Sequence, residues 1–121
     1  MQKKDSSMIK TDKKNEGICI VRPGSERLTA ANATTFKTDV FALIDNGESR
    51  FVIDLGDVSF VDSSGLGALV GLLKKIGNRG EIVVCGLADS VAQMFAITRM
   101  NRVFVAYDTA DAAVSALQER V

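Results

Sequence analysis

"RFVIDLGDVSFVDSSGLGALVGLLKKIGNRGEIVVCG", residues 50–86, reads as a strand, a helix and a second strand in that order. "RFVIDL" at 50–55 has a near-continuous apolar centre, the pattern of a strand buried on both faces. "GDVSFVD" joins it to a helix predicted from about Ser64 to Ile76. Leu66, Leu69, Val70, Leu73 and Ile76 form that helix's apolar face. Lys74 and Lys75 fall in its last turn, where cations complement the backbone dipole, and Gly77 supplies the stop. The lysine pair reads as a solvated helix end. "EIVVCG" at 81–86 is again a buried strand. Two such strands joined through a helix imply a crossover and parallel pairing.

Working away from this unit, "ICIV" at 18–21 is a strong strand and "MIKT" at 8–11 a weaker one. The "DKKNEG" between them, with Asn15 and Gly17, is too short for a crossover helix, so the two form a hairpin. The first strand is thus predicted antiparallel, at an edge. Pro23 and Gly24 end the hairpin. Thr29 is the expected N-cap of a helix over 30–46, with Ala33, Phe36, Val40, Phe41 and Ile44 on one face. Asn46 and Gly47 end it. Ser90 and Gln93 have the spacing of a capping box, predicting a short helix through Ile97. "RVFVAY" at 102–107 reads as the last strand. Asp108 or Thr109 caps a final helix through Arg120, with Ala110, Ala113, Val114 and Leu117 inward.

The order ββαβαβαβα defines an α/β fold: a mainly parallel sheet of about five strands, an antiparallel first strand and about four helices. Residues 1–7 are expected to be a flexible polar terminus, and 8–121 one domain. The start of the 64–76 helix, Thr29 and the loop at 86–90 are expected along the carboxyl edge of the sheet, where α/β proteins place their functional surface.

Composition narrows the function. Fifteen basic and fifteen acidic residues cancel, which removes the electrostatic footprint of a nucleic-acid binder. No apolar run approaches the roughly 20 residues that cross a bilayer, so no membrane role is expected. The start "MQKKDSSMIKTDKKNEG" has no signal-peptide core, and a cytoplasmic protein is the expectation. Cys19 and Cys85 sit in apolar strands and read as buried free thiols rather than a disulfide or metal pair. Histidine is absent. That excludes a Ser-His-Asp triad and removes the commonest general base and metal ligand. No cofactor and no metal are expected.

"DSSGLG" at 62–67 leaves several readings open. Asp62, Ser63 and Ser64 are all good N-cap residues, and capping alone accounts for one of them. Gly65, Gly67 and Gly71 follow, each costing about 1 kcal/mol in a helix interior, which suggests close approach to the backbone by a neighbour or a partner. Packing against the sheet suffices for Gly71. "GLGALVG" resembles the dinucleotide fingerprint only in part: the third glycine is a residue late and no acidic residue ends the strand at 81–85. No GK[ST] follows, so this is no Walker loop. A nucleophilic Ser63 lacks a recognisable base. A phosphorylation switch is a further reading, beside the plain helix cap that residue chemistry alone favours. A hydroxyl at a helix N-terminus is exposed, and the free amides there tolerate a phosphate carrying about −1.5 to −2 charges.

The stretch from "FVIDLG" through "DSSGLG" to "GNRGEIVVCGL" resembles the bacterial anti-sigma factor antagonists, the small stand-alone STAS-domain proteins. With the flanking order of elements, the resemblance covers about residues 8–119. It implies partner switching. The unphosphorylated antagonist binds an anti-sigma factor that is also a serine kinase, which frees the sigma factor. Phosphorylation from ATP releases the antagonist, and a metal-dependent serine phosphatase resets it. The family's acceptor maps onto Ser63, with Asp62, Ser64, Gly65, Leu66 and Gly67 matching the surrounding motif. These residues and Thr29 are the expected partner-binding positions. One departure stands out: Thr29, in "PGSERLTAAN", occupies the place of a usual aspartate, which puts that residue's partner contact in question. The alternative is a STAS scaffold in a transporter accessory complex or a stress-signalling assembly, with the serine turn as a docking cap. A small-molecule or nucleotide-binding role ranks third.

Overall fold

The computed structural model describes residues 8–119. The flexible terminus expected at 1–7 and the Arg120 end of the last helix lie outside the described residues. A hairpin of β1 (Lys10–Lys14) and β2 (Ile18–Arg22) opens the fold. β3 (Arg27–Leu28), α1 (Ala33–Asp45), β4 (Arg50–Asp54), β5 (Phe60–Val61) and α2 (Ser63–Ile76) follow. β6 (Glu81–Cys85), α3 (Asp89–Ile97), β7 (Ala106–Tyr107) and α4 (Ala110–Gln118) complete it. The main sheet runs β1-β2-β4-β6-β7, antiparallel at β1–β2 and parallel at every other pairing. The mainly parallel sheet with an antiparallel edge is therefore as the sequence predicts.

Side-chain alternation in the central strands divides the core into two layers. Cys19, Val21, Phe51, Ile53, Ile82 and Val84 face α1, α2 and α3. Ile18, Ile20, Val52, Val83 and Cys85 face the other way, onto Ala113, Val114 and Leu117 of α4. Strands covered on both sides carry no polar face, which explains the continuous apolar runs. The Arg50 guanidinium donates to the Leu117 carbonyl, fastening α4 to the start of β4. Both cysteines are buried free thiols. Burial pushes Cys19 up to about 11, and burial together with the Asp54 carboxylate pushes Cys85 up to about 12. Neither is a reactive thiolate near neutrality.

Four local expectations need correction. The first strand starts at Lys10 rather than 8, and a single 3-10 turn at Asn15–Gly17, with Glu16 and Gly17 at φ 65° and 73°, makes the whole connection. The first long helix starts at Ala33, not 30. The Thr29 carbonyl accepts from the amides of Asn32 (3.0 Å) and Ala33 (2.8 Å), so Thr29 closes a separate turn ahead of α1. Ser90 does not cap α3: Ala88 holds that position, and the Ser90 hydroxyl donates to the Ser59 carbonyl at 2.7 Å. The strand expected over 102–107 shrinks to Ala106–Tyr107 after a 3-10 turn at Met100–Arg102. Phe104 is buried against Phe95, ring centroids 6.0 Å apart, and this draws the chain under α3 before it can join the sheet.

Candidate functional site

The two-residue strands β3 and β5, unforeseen from the sequence, build the site. They pair in parallel, Leu28 opposite Val61, so residues 29–30 and 62–63 leave side by side. The Asp62 amide extends this ladder, donating to the Leu28 carbonyl at 3.2 Å. Asp62 is extended (φ −101°, ψ −174°) and is the N-cap of α2. Its Oδ1 accepts from the Gly65 amide at 2.9 Å, and its Oδ2 from the Ala30 amide at 3.2 Å. One carboxylate thus ties the start of α2 to the turn leading into α1. The Gly65 amide above all, with help from that of Ala30, holds the Asp62 carboxyl below the usual carboxylate range.

With Asp62 as the cap, Ser63 and Ser64 are released from capping and become the first two residues of α2, both exposed. They open onto different grooves. Ser64 lines one of about 270 Å³ between α1 and α2, with Ala30, Thr34, Lys37 and Gly67. Ser63 lines a larger one of about 600 Å³ with Leu66, Val70, Lys74, Thr98 and Met100. Lys37 and Gly67 border both. Nothing in the sequence pattern points to Lys37, Thr98 or Met100, because helix packing alone brings them beside Ser63.

The glycines separate into three environments. Gly65 is buried, and a Cβ there would run into the Leu28 carbonyl and lie 2.9 Å from Val61 Cγ1. Its close neighbour is β3 of the same chain. A Cβ on Gly71 would meet Lys37 Cδ at 3.0 Å, so this glycine packs against a side chain of α1 rather than the sheet. Gly67 is exposed, with nothing within 4 Å of a Cβ. Leu66 is 5% exposed and supports the turn from beneath.

Thr29 is half-buried, its amide donating to Asn32 Oδ1 at 3.0 Å and its hydroxyl accepting from the Ala31 amide at 3.3 Å. The structure therefore gathers Thr29, Asp62, Ser63, Ser64, Gly65, Leu66 and Gly67 into one region. Ser63, Ser64 and Gly67 are its open surface. Asp62, Gly65 and Leu66 hold that surface in place. No helix among the described residues is long and apolar enough to cross a membrane.

The STAS-domain family model matches residues 10–113. A Bordetella bronchiseptica protein, provisionally named anti-sigma factor antagonist BtrV, is 30% identical over 92 residues, 75% of this chain and 79% of that one. A Thermotoga neapolitana protein, provisionally named an anti-sigma factor antagonist and a TM1081 homolog, is 31% identical over 107 residues, 87% of this chain and 94% of its own. The crystal structure of the Thermotoga maritima protein tm1081, named in the same provisional way, superposes with a TM-score of 0.84 at 26% identity, covering 93% of this chain and 97% of that one.

Proposed function

The chain belongs to the STAS-domain family, and from that premise we propose that it is an anti-sigma factor antagonist that works by partner switching. Unphosphorylated, it binds an anti-sigma factor serine kinase through the start of α2 and frees the sigma factor. Phosphorylation of Ser63 releases it, and a serine phosphatase restores it. The protein acts in the cytoplasm, as a substrate and ligand with no catalysis of its own. The observation that carries this reading is an exposed Ser63 at the start of α2, whose capping role Asp62 has already taken. Its hydroxyl is free to be a substrate. The names of its relatives support the antagonist role.

In the switching step the Ser63 oxygen forms a bond to the γ-phosphorus of ATP as the bond to the ADP oxygen breaks. The hydroxyl proton passes to the kinase. The product carries about −1.5 to −2 charges. The added charge stands beside the ionised Asp62, on the wall of the larger groove. A partner that excludes water from this surface is then repelled, and the domain itself need not refold. The adjacent amides at the start of α2 offset part of the new charge within the domain.

Mass spectrometry after incubation with the host's anti-sigma factor kinase and ATP is the test. Phosphate is expected on Ser63. Ser63→Ala should bind the kinase as the wild type does and take up no phosphate there; Ser63→Asp should bind about tenfold more weakly. Phosphate on another residue, with Ser63 unmodified, defeats the assignment.

A further inference from the structure

The larger groove does not end at Ser63. Its walls combine the apolar Leu66, Val70 and Met100 with two cations, Lys37 and Lys74, and neither groove is lined by a carboxylate. Beyond Met100 the surface continues into the segment joining α3 to β7. Ile97, the last residue of α3, is 74% exposed, and Val103 and Val105 in the joining segment are each 49% exposed. Arg99 and Arg102 are exposed between them. From Ser90 to Tyr107 the chain has no acidic residue, although its net charge is zero. The groove lining and this segment are therefore apolar and cationic by local arrangement, and the neighbouring Asp62 carboxylate is engaged by the Gly65 and Ala30 amides.

Arg99 supplies a second observation. It follows the C-cap Thr98 of α3 with φ 64°, its amide donating to the Ala96 carbonyl at 3.2 Å. Glycine adopts this left-handed position without strain, and an arginine does not. The chain thus carries a guanidinium at a position where local backbone preference favours glycine.

Resting on the function proposed above, we infer that the groove beside Ser63 and the adjoining 97–105 segment receive an acidic amphipathic helix of the anti-sigma factor. Its apolar face would cover Val70, Met100 and Ile97. Its carboxylates would pair with Lys37, Lys74, Arg99 and Arg102. Helix-in-groove docking suits a surface of this shape, and opposite charge fixes orientation and speeds association. The inference also ties release to the same cations. A phosphate on Ser63 competes for Lys37 and Lys74 and repels the incoming carboxylates, so a single modification acts twice.

The test is calorimetric titration of the purified host anti-sigma factor into the full chain at low and moderate salt. Two variants are compared with the wild type. Lys74→Glu combined with Arg99→Glu should weaken binding about tenfold or more and flatten the salt dependence. Arg99→Gly should weaken binding about threefold while raising the melting temperature, a split that a folding defect does not produce. Wild-type affinity in both variants overturns the inference and leaves the proposed function intact. Failure of the wild type to bind at all defeats the proposed function together with the inference. Retention of both variants' affinity alongside cation-dependent binding to phosphatidylserine vesicles overturns it in favour of a membrane surface.

Discussion

Gly65 and Gly67 are two residues apart in α2, yet they answer to opposite sides of the molecule. Gly65 faces inward, where the Leu28 carbonyl leaves no room for a methyl group. Gly67 faces outward, where a methyl group would meet nothing of this chain. The inner glycine lets β3 and β5 draw the turn against the sheet edge. The outer one costs helix stability with no return inside the domain. A residue type that looks uniform in sequence thus divides into a packing requirement and a surface feature, and the dividing line is the axis of α2.

The contrast breaks most sharply at Gly65. Gly65→Ala places a methyl group against a backbone carbonyl that cannot turn aside, and Val61 blocks the other direction. The expected cost is about 3 kcal/mol, the upper part of the usual range for overpacking, and a large fraction of the stability of a domain this size. Urea unfolding measures it. A loss below about 1 kcal/mol would show that β3 yields, and the proposed distinction between the glycines would fall.

Gly67→Ala is the opposite case and a smaller effect. It should stabilise the protein by about 1 kcal/mol, the ordinary gain from replacing glycine in a helix, raising the melting temperature by about 4 °C. The same methyl group should weaken anti-sigma factor binding, because it occupies the border of both grooves. Higher stability with unchanged affinity would remove Gly67 from the contact surface.

The layered fold is legible in the sequence because its signals are repeated. The apolar runs at 50–55 and 81–86 each register a strand covered on both faces, and the turn residues between elements agree with them. The site is only half legible. The run Asp62-Ser63-Ser64 offers three capping residues, and the sequence cannot say which one caps; pairing of Leu28 with Val61 settles it for Asp62. Two-residue strands have no periodicity to detect, so β3 and β5 leave no trace in the pattern. The Ser90–Gln93 spacing misleads for a related reason. Ser90 finds a long-range acceptor in Ser59, and no local pattern encodes that contact. Lys37 and Met100 reach the groove through the packing of separate elements around α2, which local spacing does not reveal.

The smallest effect concerns the carboxylate that joins the two sides. Hydrogen bonds from the amides of Gly65 and Ala30 favour the ionised form of Asp62 and lower its pKa in the folded state. Its contribution is therefore fully present above the unfolded-state value, about 3.9, and is lost as the pH falls through the lower folded-state value. Asp62→Asn keeps an oxygen for the Gly65 amide, so it can still cap α2, but it has no proton to gain in this range. The variant should be less stable than the wild type at neutral pH, where only the carboxylate engages both amides with full charge. As the pH falls below the unfolded-state value and through the lower folded-state one, the gap should narrow, because the wild type loses its charge and the variant does not change. Thermal unfolding of both proteins across this interval supplies the comparison. A gap that stays constant with pH would mean that Asp62 holds the turn as a neutral hydrogen-bond acceptor would, and that its charge does not join the buried and exposed sides of α2.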